Sequence, residues 1–234
     1  MLIQEIISIA FNSLRTNKLR SALTILGIVV GIFSIIAMGT VVTMLQATIE
    51  EGVSVFGKNT FQIQKFPAVR TGGPSEWAKI RNRKDITIED YENLKEKFLE
   101  AKAVAASTNM NGLVVKYGKV KTNPNISMLG VTPEAFITRD WVVEKGRAIN
   151  DLDYQRYEKV TVLGFDLAKT VFKDKDPISE EIWIDGFKLR VIGVLEYQGE
   201  IFGQSRGNFA IVPITAFHSF YGISKRSLSI SVMA

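Results

Sequence analysis

Residues 17–42 read NKLRSALTILGIVVGIFSIIAMGTVV, and this stretch determines how the rest of the chain is interpreted. No charged residue occurs from Ser21 to Ile49, and the run from Ala22 to Leu45 is apolar except for Thr, Ser and Gly. As a helix, this run spans roughly 36 Å, which is enough to cross a hydrocarbon core about 30 Å thick. Three interpretations compete: a buried core helix, a cleaved secretion signal and a retained transmembrane span.

The length of the run favours the transmembrane span. A helix buried in a globular core is rarely this long and this uniformly apolar. A signal peptide has an apolar run of about 7–15 residues followed by a small-residue cleavage site, and this run is longer. We therefore predict a transmembrane helix over residues 21–47.

Charged residues beside the span predict its orientation. Three basic residues precede it, Arg15, Lys18 and Arg20, and two acidic residues follow it, Glu50 and Glu51. Because basic residues stay on the cytoplasmic side of a membrane, the N-terminus is predicted to lie inside. Everything after about residue 47 would then face outward, into the periplasm or the exterior of a bacterium.

Two further patterns concern the membrane. Residues 1–20 carry apolar side chains at helical spacing, which predicts a cytoplasmic amphipathic helix in the interface plane. A simple N-terminal extension of the span is the alternative.

Within the span, Gly27 and Gly31 form a GxxxG pattern that lets a second helix approach closely. The alternative is that this face contacts lipid.

Composition excludes several kinds of site. The chain of 234 residues has no cysteine and one histidine, His218, so disulfides, thiolate metal sites and multi-histidine metal sites are excluded within it. No GxxxxGK[ST] or GxGxxG pattern predicts a phosphate-binding loop. We interpret His218 as a packing residue, and the acidic pairs Asp151/Asp153 and Glu180/Glu181 as solvated loop charges. The sequence therefore predicts no enzyme activity, no cofactor and no metal site.

The net charge of +5 is concentrated in one segment, so the wide basic face of a nucleic-acid-binding protein is not expected. We predict a loop over residues 67–84 that holds five basic residues and one acid, Glu76. Basic groups near an anionic surface are favourable, which makes them candidate contacts for lipid head groups or an adaptor protein. A solvated loop is the alternative. The five residues are Arg70, Lys79, Arg81, Arg83 and Lys84.

Residues 197–208, YQGEIFGQSRGN, predict a glycine-rich hairpin connection with an aromatic tip. Phe202 lies at this tip, between glycines, and is a candidate contact for a partner.

Beyond the span, the patterns predict an α+β fold with many short strands. Thr87, with Asp90 three residues later, predicts the N-cap of a helix over 88–102. Asp185 and Gly186 predict a tight hairpin turn before a strand over 187–195. The other predicted strands are 61–66, 104–110, 112–117, 120–122, 125–131, 160–163, 181–184, 209–213 and 228–232, and the other helices are 132–136, 165–172 and 215–221.

Several segments follow one another in the order of a known family. They are NKLRSALTILGIVVGI (17–32), ITIEDYENLK (86–95), MLGVTPEAF (128–136), EKGRAIND (144–151), VTVLGFDLAKTVF (160–172), DP (176–177), FKLRVIGVL (187–195) and FAIVPITAF (209–217). On these motifs the chain resembles the permease subunit of MacB-type ABC transporters, within the FtsX-like superfamily. Order and spacing agree over nearly the whole chain.

The resemblance implies a MacB-like extracytoplasmic core domain over 48–234, made of two lobes. A membrane-proximal α+β lobe would comprise 48–115 and 225–234, and a mostly-β insertion would comprise 116–224. In DPISEEI (176–182), Ser179 stands where the family's turn has glycine, and we expect only the turn type to change.

The resemblance also implies a function. The chain would be the N-terminal portion of a permease in the bacterial inner membrane, coupling ATP hydrolysis by a partner ATPase to motion of the outward domain for export or extraction of a substrate. The implied partners are that ABC ATPase, a second permease copy or related permease in a dimer, and a periplasmic adaptor. Since the family has further spans after this domain, we expect the chain to be a fragment. The alternative is a single-pass scaffold or regulator that binds an extracytoplasmic partner without transport.

Overall fold

The structure is a computed structural model that describes residues 5–7, 9, 16–54, 59–67, 73–98, 100–173, 175–201, 204–222 and 227–234. Contacts divide the chain into two units, the first ending at Gly52 and the second beginning at Val53. The first unit contains a long apolar helix and the second is rich in sheet. The predicted α+β class with an N-terminal apolar helix is therefore confirmed.

Helix α1 extends over Lys18–Ser54 and includes the whole range predicted as a span. Its most apolar stretch, within Lys18–Gln46, reaches a mean hydropathy of 2.6 and has no buried residue. Within the described ranges, it is the one helix whose length and composition suit a membrane span. The apolar side chains of α1 lie on all sides, which is typical of a helix surrounded by lipid or by other helices.

Four hydroxyl groups of α1 are satisfied within the helix itself. Ser34, Thr40 and Thr43 each donate a hydrogen bond to the carbonyl four residues earlier, at 2.8–3.0 Å. Thr24 donates in the same way to the backbone of the preceding turn. Hydrocarbon offers no hydrogen-bonding partners, so these bonds allow the four hydroxyls to lie in a membrane.

Thirteen strands belong to the described part of the second unit. They are β1 (Thr60–Gln64), β2 (Ala103–Leu113), β3 (Val115–Tyr117), β4 (Val120–Lys121), β5 (Ile126–Val131), β6 (Val143–Gly146), β7 (Val160–Leu163), β8 (Glu181–Ile184), β9 (Phe187–Leu195), β10 (Glu200–Ile201), β11 (Gln204–Ser205), β12 (Phe209–Pro213) and β13 (Ser229–Met233). Eleven form one sheet in the order β1-β13-β2-β5-β12-β7-β9-β8-β3-β4, with β6 also paired to β9. Strands β10 and β11 form a separate hairpin.

Helices pack around this sheet. They are α2 (Pro74–Arg81), α3 (Ile88–Lys97), α4 (Ala135–Thr138), α5 (Asp151–Gln155), α6 (Phe165–Phe172) and α7 (Ile214–Tyr221). Side-chain alternation decides which face of a strand is covered. In β8, Ile182 and Ile184 are fully buried, whereas the alternate residues Glu181 and Trp183 are exposed.

Strand β2 links the two predicted lobes. Its first half pairs with β13 and its second half pairs with β5, with Ser107 at the change of partner. The sheet therefore continues from one predicted lobe into the other. The lobe boundaries at residues 116 and 224 stay a prediction.

Glycines beside short apolar segments led to correct predictions of bounds. Strands β7, β8, β9 and β12 and helix α6 begin and end at the predicted residues. Thr87 and Asp90 form the predicted capping box before α3. Asp185 and Gly186 have φ angles of 51° and 85°, as their predicted hairpin turn requires.

Four predictions of local structure are wrong. The helix predicted over 132–136 begins only at Ala135, with Glu134 as its N-cap. Helix α3 ends at Lys97, well before the predicted residue 102, because the backbone of Lys102 already bonds to Met233 beside β2. The strands predicted at 104–110 and 112–117 are instead the long β2, with an irregular register after Met110, followed by β3. The predicted loop over 67–84 contains helix α2. In addition, β6 and α5 were not predicted, whereas the β10–β11 hairpin lies within the predicted hairpin connection over 197–208.

Candidate functional site

Gly27 and Gly31 lie on α1 with open space around them. A Cβ atom on either glycine would meet no atom within 4 Å outside the helix backbone. The GxxxG face is therefore accessible to another helix or to lipid. Its packing against a partner stays a prediction.

The predicted basic segment is partly helical. Arg70 lies outside the described residues, Lys79 and Arg81 lie in the last turn of α2, and Arg83 and Lys84 follow it. Pro at the first helical position and Glu76 in the first turn favour helix formation here, as do basic residues near the C-terminus.

The basic side chains of this segment face water. Lys79, Arg81, Arg83 and Lys84 are exposed, whereas Ile80 on the opposite side of α2 is buried. Lys84 approaches the Asp90 carboxylate at 3.7 Å, a weak exposed pair. The positive surface is thus accessible, and its contact with lipid or an adaptor stays a prediction.

A cleft of about 760 Å³ lies on the sheet over the adjoining parts of β2, β5 and β12. Its lining is mainly polar side chains that both donate and accept hydrogen bonds. These side chains are Asn109, Asn111, Asn125, Ser127, Gln198, Ser205 and Asn208. Leu129, Trp141 and Phe209 provide the apolar part of the lining, and Arg139 and Arg206 provide its charge.

Arg139 forms one wall of the cleft and follows α4 directly. Its Nη2 donates a hydrogen bond to Ser107 Oγ at 3.0 Å, and its guanidinium lies 5.2 Å from the centre of the Trp141 ring. Burial lowers the pKa of Arg139. Trp141 is itself held between Phe136 and Phe209, with ring centres 5.6 Å and 5.7 Å away. The aromatic cluster therefore fixes the position of this cation.

The opposite wall belongs to the segment around the β10–β11 hairpin, which is attached to the start of α6. The Asp166 carboxylate accepts a hydrogen bond from Ser205 Oγ at 2.5 Å and another from the Gly207 N–H at 3.2 Å. A carboxylate in the first turn is also favoured by the helix dipole. Phe202, the predicted tip contact, lies outside the described residues.

Gly164 and Gly207 permit this attachment. A Cβ on Gly164 would lie 2.3 Å from the Gly207 carbonyl oxygen, and a Cβ on Gly207 would lie 2.5 Å from Asp166 Oδ2. The close approach of the two backbones therefore requires glycine on both sides.

His218 and the acidic pairs form no common site. His218 is half-buried beside the Phe217 ring, and burial lowers its pKa. The interpretation of Asp153 as a solvated loop charge is wrong, since it is 4% exposed. Its oxygens accept hydrogen bonds from both Arg147 nitrogens, at 2.5 Å and 2.9 Å. These contacts are structural.

Asp151 is exposed, and Glu180 and Glu181 each pair with a lysine. Glu180 lies 2.9 Å from Lys175, and Glu181 lies 2.5 Å from Lys188. Such exposed pairs contribute little to stability.

Sequence reasoning missed the cleft because its lining comes from four separate stretches of chain. Arg139 gave one local signal, since it lies two residues before Trp141. The pairing of β5 with β12 then brings Ser127 beside Phe209, which no local pattern indicates.

A family model described as the MacB-like periplasmic core domain matches residues 21–234. The macrolide export ATP-binding/permease protein MacB of Bdellovibrio bacteriovorus is 31% identical over 213 residues, which cover 91% of this chain and 32% of that protein. The protein of the same name from Wolinella succinogenes is 29% identical over 90% of this chain and 31% of its own length. The chain thus spans about a third of the length of these curated relatives.

Two solved structures share the fold. The periplasmic region of MacB from Actinobacillus actinomycetemcomitans superposes with a TM-score of 0.61 at 19% identity, over 77% of each chain. The extracellular domain of the noncanonic ABC-type transporter YknZ from Gram-positive bacteria gives a TM-score of 0.58 at 22% identity, over 75% of this chain and 83% of that chain. By its sequence match and its fold, the chain belongs to the MacB-like periplasmic core domain family of ABC transporter permeases.

Proposed function

We propose that this chain is the N-terminal portion of a MacB-type permease, in which ATP hydrolysis by a partner ATPase moves an extracytoplasmic domain to export or extract a substrate. One observation carries the proposal. The family match begins at residue 21 and ends at residue 234, so it includes both the apolar helix and the sheet unit.

Helix α1 is suited to carry force through a membrane. It is unbroken over 37 residues, which corresponds to about 55 Å of helix. A continuous hydrogen-bonded helix resists bending, so a displacement at one end reaches the other. In the proposed mechanism, ATP is bound by the partner ATPase, and this chain contributes the moving parts.

The proposed orientation places the N-terminus in the cytoplasm and the residues after about 47 in the periplasm. Lys18 and Arg20 at the start of α1 and Glu50 and Glu51 near its end support this arrangement. The proposed location is the bacterial inner membrane.

Three partners complete the proposal: the ATPase, a second permease copy and a periplasmic adaptor. The open surface at Gly27 and Gly31 suits a neighbouring membrane helix. The exposed basic side chains of α2 suit anionic lipid head groups or an acidic surface of the adaptor.

Orientation is tested by cysteine labelling, because the chain has no native cysteine to interfere. Asn17→Cys and Ser75→Cys place single thiols at two exposed positions, before the predicted span and in α2. A membrane-impermeant maleimide should label residue 75 in intact spheroplasts, and residue 17 only after lysis. The reverse pattern would contradict the proposed orientation.

Coupling is tested by spin labels in the full-length permease with its ATPase. Lys121→Cys gives an exposed label on β4. Electron–electron distance measurements between two permease copies should shift when ATP is added, and should not shift with an ATPase variant that cannot bind ATP. An ATPase that does not copurify, together with unchanged distances, would favour the single-pass scaffold.

A further inference from the structure

The cleft contains a cation without a counter-ion. Among the described residues, Arg139 pairs with no carboxylate, and Ser107 Oγ is the one side-chain acceptor of its guanidinium. A guanidinium has five N–H donors, so most of its hydrogen-bonding capacity is left to whatever enters the cleft. A largely buried charge without a partner is costly, and an anionic ligand would remove that cost.

A second cation lies in the same cleft. Arg206 is half-buried on the opposite wall, and it too pairs with no acid in the described part of the chain. No Asp or Glu belongs to the described lining. Both charges therefore line the same cleft, and guanidinium groups match carboxylate and phosphate oxygens in geometry.

The amide side chains determine what the anion would be attached to. Asn111, Asn125, Gln198 and Asn208 line the cleft, and each amide can donate and accept hydrogen bonds at once. Sugar hydroxyl groups have the same dual capacity, so they match this lining. The volume of about 760 Å³ is far larger than an inorganic ion needs and falls within the usual range for small-molecule sites.

We propose that this cleft binds a small saccharide that carries a carboxylate or phosphate group, with Arg139 and Arg206 paired to the oxyanion and the amides bonded to the hydroxyls. The proposal concerns ligand binding by the sheet unit and does not depend on transport.

The test is calorimetric titration of the full chain in detergent micelles, at an ionic strength of about 0.15 M. The probes are glucuronate, glucose 6-phosphate, neutral glucose and inorganic phosphate. One or both anionic sugars should bind saturably, and their ratio identifies the preferred oxyanion. Glucose and inorganic phosphate should each bind at least about tenfold more weakly than the better anionic sugar.

Variants assign the binding to the cleft. Arg139→Gln and Arg206→Gln should each weaken binding of the better sugar by about tenfold or more. Arg156→Gln is the matched control, because it removes the same charge from an exposed position outside the cleft, and it should leave the affinity unchanged. If Arg139→Gln fails to fold, Arg206→Gln still decides the question.

Four results would overturn the proposal. The first is no saturable binding of either anionic sugar. The second is glucose binding as tightly as the anionic sugars, and the third is equal weakening by Arg156→Gln. Inorganic phosphate binding as tightly as the sugars would overturn the saccharide assignment and leave a simple oxyanion site.

Discussion

Two buried threonine hydroxyls of the sheet unit differ in their hydrogen bonding. Thr161 in β7 is fully buried, and its hydroxyl lacks a partner in the described structure. The hydroxyl of Thr132, also buried, accepts a hydrogen bond from the Ala106 N–H at 3.1 Å. Burying a polar group without a hydrogen-bond partner destabilises the folded state, whereas a buried group that forms a hydrogen bond stabilises it.

We expect Thr161→Val to raise the free energy of unfolding by about 1 kcal/mol, because valine has the same shape and no hydroxyl. Thr132→Val is the matched comparison and should lower the free energy of unfolding by about 1–2 kcal/mol, since the Ala106 N–H is then left without its acceptor. Urea unfolding followed by circular dichroism measures both. A destabilised Thr161→Val would indicate that the hydroxyl has a partner after all.

Ser179 adopts a backbone conformation that favours glycine. Its φ angle is 68°, and its N–H donates to the Val191 carbonyl at 2.8 Å. The left-handed region costs a non-glycine residue about 1–2 kcal/mol. A glycine at this position, which the resemblance to the family implies, would adopt this conformation without that cost.

Ser179→Gly should relieve this strain and raise the free energy of unfolding by about 0.5 kcal/mol, after the entropy cost of glycine is subtracted. Ser179→Val should lower it by about 1 kcal/mol, because a β-branched side chain fits the left-handed region poorly. Thermal unfolding of the two variants and of the native chain gives their order of stability. Equal stabilities would mean that the turn relaxes.

Helix α5 is stabilised at its start by a capping box and an ion pair. Asn150 accepts from the Asp153 N–H, and Asp153 accepts from the Asn150 N–H and from Arg147. Burial acts to raise the pKa of Asp153, but the bonds from Arg147 and Asn150 prevail and hold this pKa below its ordinary value of 3.8. A carboxyl whose pKa is lowered on folding stabilises the fold above its unfolded pKa and loses that contribution as pH falls through the folded value.

Asp153→Asn imitates the protonated carboxyl, so its effect should depend on pH. At neutral pH the free energy of unfolding of the variant should be about 1–2 kcal/mol lower than that of the native chain, because the charge-assisted bonds are lost. This difference should shrink as pH falls below about 4, where the native carboxyl itself becomes protonated. A difference that stays constant down to about pH 2 would show that the charge is not the stabilising feature.

The contact between α6 and the β10–β11 hairpin depends on backbone proximity. Gly164→Ala should lower the free energy of unfolding by about 2 kcal/mol or more, because the added Cβ meets a backbone oxygen that cannot move aside. Gly73→Ala is the control, since a Cβ there meets no atom within 4 Å, and it should lower the free energy of unfolding by less than about 1 kcal/mol, the cost of alanine at an N-cap. Thermal unfolding measures the change in stability that each of the two substitutions causes. Similar effects of the two substitutions would argue against a close contact at Gly164.

Local signals explain which parts of the fold could be predicted. Strand β9 begins directly after the Asp185–Gly186 turn and alternates between apolar and polar residues over its first half, so local signals gave its start. Helices α2 and α5 are short and polar, so their periodicity is weak and the residues at their N-termini are the better signal. For α5 the signal was present, as Asn150 followed by Asp153, but it was not recognised. The cleft requires strand pairing across more than eighty residues, from Ser127 to Phe209, and that pairing has no local signature.

The division of the chain into two units predicts that they are separable. The sheet unit from residue 53 onward has its own buried clusters, and α1 supplies none of their buried residues. We expect residues 53–234 expressed alone to stay in solution without detergent and to unfold cooperatively. The same chain with α1 should require detergent, because that helix exposes apolar side chains on every side.

Circular dichroism and heat denaturation of the two forms measure this separation. The midpoint for residues 53–234 should lie close to that of the sheet unit in the complete chain, since deleting residues 1–52 removes none of the described core clusters. A large drop in the midpoint, or loss of cooperativity, would mean that the apolar helix contributes to the core of the sheet unit. In that case a displacement of α1 would unfold the outward domain instead of moving it, and the proposed transfer of force would fail.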